Sequence, residues 1–122
     1  MTKSIKIEGT FEVINPSDQS VEGKYILRDT SDYDCVITHH PSKIAGGTTH
    51  APIAFGSVTL AKRIFLRVTQ EVLVKYNVTA PNDGFNLGIG DHILMNDSGV
   101  TALFLTTGPT ETEVTAVIAG DC

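Results

Sequence analysis

The sequence predicts an all-β chain: a single-domain antiparallel sandwich, jelly-roll-like, of eight or nine short strands. Three observations predict it. Strand formers dominate, with fifteen Thr, eleven Val and eleven Ile among 122 residues. No window long enough for a helix has apolar residues at helical spacing. Turn residues recur about every ten positions, the spacing of a sandwich or small barrel.

Taken in order, Ile5, Ile7, Phe11 and Val13 alternate with Lys6, Glu8, Thr10 and Glu12. That is a half-buried strand with Gly9 in its core row. Asn15-Pro16-Ser17-Asp18 is a turn. Strands follow at Val21–Arg28 and Tyr33–His39, separated by Asp29-Thr30-Ser31-Asp32. Pro41–Thr49, with Gly46 and Gly47, reads as a loop, and Pro52–Thr59 as a further strand.

The stretch 64–78 is the most informative. Ile64, Leu66, Val68, Val72, Val74, Tyr76 and Val78 all fall on even positions, with Gln70 interrupting. One straight strand of that length would span roughly 50 Å, too long for a domain this size. A two-residue loop at Thr69-Gln70 would pair Val68 with Glu71 and put a charge in the core. Parity therefore requires a three-residue loop, Thr69-Gln70-Glu71, or a strand that crosses between sheets. Pro81-Asn82-Asp83-Gly84 is a turn, 91–96 a short strand, and Asp97-Ser98-Gly99 another turn. Over 102–105 the chain is apolar on both faces, as in a central strand or one shared between core and interface. After Gly108-Pro109, Thr112, Val114, Ala116 and Ile118 alternate as the last strand.

Composition excludes several classes. No apolar run approaches the roughly 20 residues of a membrane helix, and no secretion signal is read at the N-terminus. The net charge of −5 opposes nucleic-acid binding, which needs a basic face. The charge is uneven: residues 1–75 hold nine bases and eight acids, and 76–122 hold six acids and no base. Either the domain has one acidic side, or the acids simply solvate its surface. Cys35 and Cys122 are read as free thiols, because a terminal residue makes a weak staple, and hence as marks of a reducing interior.

No catalytic, cofactor or metal set emerges. His39, His40 and His50 flank the Gly46-Gly47 loop, but adjacent strand residues point to opposite faces, so His39 and His40 cannot both ligate within a strand. They are read as loop or surface histidines, as is His92. Gly84–Asp91 lacks the Lys-Ser/Thr of a phosphate loop and the repetition of calcium-binding segments, and reads as turn and strand. Asn77-Val78-Thr79 and Asn96-Asp97-Ser98 match the glycosylation sequon by chance.

A resemblance does appear in the C-terminal half. It is carried by Arg63–Val68, Val72–Asn77, the Asn82-Asp83-Gly84 turn, Ile93-Leu94-Met95, Thr101–Leu105 and Glu113–Gly120. Over roughly the last 60 residues this pattern resembles small all-β virion proteins of tailed bacteriophages, either capsid decoration (cement) proteins or tail and neck components. The resemblance implies a non-enzymatic structural protein, made in the host cytoplasm and resident in the virion. It implies contacts with copies of itself, as in a trimer, and with a major capsid protein, and no cofactor. Residues 1–14 would be a docking strand. Phe65, Leu103, Leu105, His39, His40 and His50 are the candidate interface residues. The alternatives are a tail-associated receptor- or glycan-binding module, with its site in the 40–50 or 82–90 segments, and a small cupin-like metal enzyme.

Overall fold

A computed structural model describes residues 3–77 and 84–122. The chain is all-β, with ten strands among the described residues: β1 Lys3–Ile14, β2 Val21–Tyr33, β3 Cys35–Ile44, β4 Ala51–Ile53, β5 Leu60–Val68, β6 Val72–Tyr76, β7 Phe85–Leu87, β8 His92–Val100, β9 Leu103–Thr107 and β10 Thr112–Asp121. It divides into two compact units, one ending at Tyr33 and one spanning Asp34–Cys122.

The larger unit is a jelly-roll sandwich. One sheet has the order β3-β10-β5-β8 and the other β4-β9-β6-β7. The pairings nest: β3 with β10, β4 with β9, β5 with β8, and β6 with β7, all antiparallel. The segment thus folds as one long hairpin rolled across two sheets, the defining path of this fold. Alternation supplies the core. Ile64, Leu66 and Val68 on β5, Val72 and Val74 on β6, and Thr112, Val114, Ala116 and Ile118 on β10 are all buried to 1% exposure or less. Each row is one face of a sheet, pressed against its counterpart.

Thr69-Gln70-Glu71 is a crossing between sheets. β5 and β6 belong to different sheets, and Val68 and Val72 both enter the core. Thr69 N–H donates to Glu113 O at 3.1 Å and fastens the crossing to β10.

Several sequence expectations are corrected. Asp29–Asp32 does not interrupt a strand, because β2 runs through to Tyr33 and pairs with β1 along its length. Pro41 lies within β3, where the register with β10 shifts between His39 and Ser42. Of the expected 52–59 strand only Pro52 and Ile53 pair, within β4. Asp97-Ser98-Gly99 is a bulge inside β8: three residues lie opposite one between the pairs Arg63↔Asn96 and Ala61↔Val100. Gly99 provides its positive φ of 59°. The turn expected at 81–84 falls mostly outside the described residues.

The loop after β3 is held rather than free. Gly47 N–H donates to Gly108 O at 2.7 Å, and Thr107 Oγ1 donates to Ala45 O at 2.9 Å. A Cβ on Gly46 would stand 2.2 Å from Pro109 O, so only glycine permits this approach. The uneven charge does not make one acidic side, because β10 lies between base-bearing strands. Glu113 stands opposite Lys43, and Asp121 pairs with Lys62 at 3.0 Å.

The free-thiol expectation is also overturned. Cys35 and Cys122 form a disulfide across 87 positions, with Cα atoms 5.4 Å apart. The terminal cysteine is well placed because β10 runs beside β3, pairing Gly120 with Cys35. The inference of a reducing compartment loses its basis. In a chain-entropy description, closing a loop this long is worth about 4–5 kcal/mol. Cys122→Ser is therefore expected to lower the unfolding free energy by about 4 kcal/mol in urea denaturation. An unchanged midpoint would show that the bond does not constrain the unfolded chain.

Candidate functional site

The smaller unit is a two-stranded hairpin, β1 with β2, joined by a six-residue loop at 15–20. Asn15 N–H donates to Ser20 O, and Gln19 N–H to Asn15 O, both at 2.8 Å. Ser20 donates through backbone and hydroxyl to Asp18, which holds that carboxyl below its ordinary pKa.

This hairpin is where exposed apolar surface gathers. Among the described residues, nine large hydrophobics are exposed, and six of them lie here: Phe11, Val13, Ile14, Val21, Tyr25 and Ile26. Phe11 and Tyr25 are direct cross-strand partners, 61% and 62% exposed, with ring centroids 6.4 Å apart. The alternation read as a sandwich core row therefore marks one face of the hairpin. Ile5 and Ile7 are half-buried, Phe11 and Val13 are exposed, and a Cβ on Gly9 would meet nothing within 4 Å. Clustered exposure of this kind marks an interaction surface more often than a monomer surface.

The other face of the hairpin mixes both signs of charge, with Lys6 on β1, Asp32 on β2 and the exposed Ile26 opposite Thr10. Glu8 and Glu12 on β1 stand opposite Arg28 and Lys24 on β2. Lys6 pairs with Glu8 at 3.0 Å, and Lys24 approaches Glu12 at 3.9 Å. Ser4 donates a hydrogen bond to Asp32.

The sandwich carries lesser surfaces. Phe65 is half-buried on the outer face of its sheet, between Val117 and the exposed Leu94, with its ring 6.1 Å from that of His92. Leu103 and Leu105, two other interface candidates, sit in the core at 1% and 0% exposure, beyond the reach of a neighbouring molecule. An open cleft of about 470 Å³ lies at one end of the second sheet, lined by Gln70, Leu73, Asn86, Ile89, Thr106 and Pro109. Asn86 and Ile89 belong to the 82–90 segment singled out in the sequence. Its described part, 84–90, is strand then turn, closed by Asp91, whose carboxylate accepts from Gly88 N–H at 2.9 Å.

The histidines do not converge. His39 and His92 lie on opposite edge strands of one sheet, and His39 donates through Nε2 to Ala54 O at 2.6 Å. His50 takes a positive φ in the held loop, and its backbone N–H donates to Thr106 Oγ1 at 3.1 Å. His40 lies at the register shift of β3. Among the described residues, no group of three His, Cys, Asp or Glu side chains is arranged to hold a metal ion. No described helix is long and apolar enough to cross a membrane.

No family model matches the chain, and no curated protein matches it. Among solved structures, the chain is similar to the cupin domain of Schizosaccharomyces pombe Cnp3. The TM-score is 0.45 at 9% identity, covering 95% of this chain and 84% of that one.

Core and surface roles separate by mutation. Leu103→Ala is expected to cost 2–5 kcal/mol. Phe65→Ser, which removes the cross-strand contacts with Val117 and Leu94 on a half-open face, is expected to cost about 1 kcal/mol. Urea denaturation of both variants checks this. Equal losses would mean that Phe65 belongs to the core.

Proposed function

We propose that this chain is a non-enzymatic structural protein of a bacteriophage particle, a capsid decoration or cement protein. The observation that carries the reading is the hairpin: a regular, paired element that leaves the cross-strand partners Phe11 and Tyr25 more than 60% exposed on one face. Such a surface gains free energy only when another protein covers it. Each contact contributes modestly, and particle symmetry repeats it many times. The partners are other copies of the chain and a shell protein, and the net charge of −5 argues against nucleic acid. The jelly roll is a recurrent architecture of shell proteins. The Cys35–Cys122 bond suits residence on a virion surface, where disulfides persist, and would close after the protein leaves the host cytoplasm.

A second reading, a tail-associated ligand-binding module, is favoured by the cleft beside Asn86 and Ile89. Neutral saccharides are its natural test ligands, because the cleft offers amides and hydroxyls and contains no cationic side chain.

The deciding experiment is proteomic and binding analysis of particles from the phage that encodes the sequence. A fixed copy number per particle is expected, with saturable rebinding to stripped shells. Absence from purified particles would overturn the reading. A saccharide bound in the cleft, with affinity lowered about tenfold by Asn86→Ala (roughly 1.4 kcal/mol), would favour the second.

A further inference from the structure

We propose that the Cys35–Cys122 disulfide is a redox-controlled latch. Closed, it directs tension arriving from the hairpin into the centre of the sandwich and keeps it off the edge strand β3. The proposed function enters only as the source of that tension, a neighbour holding the hairpin, and the test needs no particle.

The place of the bond carries the inference. The chain leaves the hairpin at Tyr33 and begins β3 at Cys35. Any pull on the hairpin therefore reaches the sandwich at Cys35. Among the described residues β3 pairs only with β10, so it is an edge strand. Its ladder begins with Cys35↔Gly120 and would open from that pair onward, one pair at a time. Peeling β3 costs less than opening the core. Ile37 and Ile44 on β3 are only partly buried, whereas Val114, Ala116 and Ile118 on β10 are buried to 1% exposure or less. Detaching β3 leaves that central row in place, and detaching β10 uncovers it.

The bond ties the peeling point to a fixed one. With it closed, residues 35–122 form a ring, and β3 cannot lengthen unless the end of β10 moves with it. That end is fastened to β5. Thr59 donates to Asp121 O through its N–H at 2.8 Å and its hydroxyl at 3.2 Å, beside the Lys62–Asp121 pair. A Cβ on Gly120 would stand 1.9 Å from Leu60 O, so only glycine permits this approach of the two strands. Tension thus passes to β10 and β5, where release requires opening the core.

The latch can be worked from solvent. Cys122 is exposed and Cys35 half-buried. A dithiol attacks the bond as a thiolate and leaves as its own disulfide, and two electrons and two protons end on Cys35 and Cys122 as thiols. An external disulfide runs the same exchange in reverse and closes the latch.

Force spectroscopy on the full chain tests this, with handles at Lys3 and Thr101. Thr101 is exposed and follows Val100, which lies at the Cys35 end of the sheet through Ala61 and Gly120. The pull therefore crosses the sheet from one edge strand to the other. The hairpin, loaded at its open end Lys3↔Tyr33, should open first in both redox states. In the reduced chain a separate step of roughly 50 Å should follow, as residues 35–50 peel away. In the oxidised chain that step should be absent, and the next opening should need a higher force. Full opening between Cys35 and Thr101 should extend roughly 70 Å when oxidised and roughly 220 Å when reduced, which reads the state of the bond in each trace. Cys35→Ser and Cys122→Ser should each behave as the reduced chain, with circular dichroism verifying that the sandwich is folded before pulling. The same first sandwich step, in force and length, in both redox states overturns the proposal. So does a reduced chain whose sandwich no longer folds, because the bond would then hold the fold itself. A working latch in a protein absent from particles would instead overturn the decoration reading and leave the latch standing.

Discussion

A strand with one apolar row cannot remain half-wet, and the Asp34–Cys122 unit is organised around that fact. The even-numbered apolar positions from Ile64 to Val74 would overshoot a small domain as one strand. As a hairpin they would still need a second sheet to cover them. Crossing at Thr69–Glu71 solves both problems: β5 and β6 enter different sheets, and Val68 and Val72 remain in one core. The other pairings follow. β10 fits between β3 and β5, placing its Thr112–Ile118 row in the centre of the sandwich. The same placement brings the last residue to Cys35, closing the roll covalently.

The hairpin obeys the opposite logic. Its backbone is paired, so its polar groups between the strands are satisfied. Near the loop, however, Phe11, Val13 and Tyr25 on one face and Ile26 on the other are all exposed. Sheet formation without sheet packing leaves the hydrophobic term unrealised.

Much of the sandwich was legible in the sequence. The alternation of Thr112, Val114, Ala116 and Ile118 located a core strand, and parity at Gln70 left crossing as one of two permitted solutions. What could not be read was partnership. Ile5–Val13 alternate as cleanly as 112–118, because alternation reports a two-sided strand and does not report whether anything covers the apolar side. Leu103 and Leu105 looked shareable with a neighbour only because β9 is apolar on both faces, as central strands are. The disulfide was misread for a related reason: the terminal position looked loose until topology put β10 beside β3. Gly99 signalled a turn and supplied a bulge, since both need the same positive φ. Histidines close in sequence, His39 and His50, proved separately committed, one to Ala54 O and the other within a loop fixed by Thr106 and Thr107.

The central claim is that the sandwich is complete in one chain and the hairpin is not. Amide hydrogen exchange on the full chain, at concentrations above and below association, measures this directly. Slow exchange in β5 and β10 is expected at both concentrations. Slow exchange across Lys3–Tyr33 is expected only in the associated protein, because unpaired edges and an uncovered face leave the hairpin near the low end of local stability. Equal protection of the hairpin in dilute monomer, or none in the concentrated protein, would contradict it.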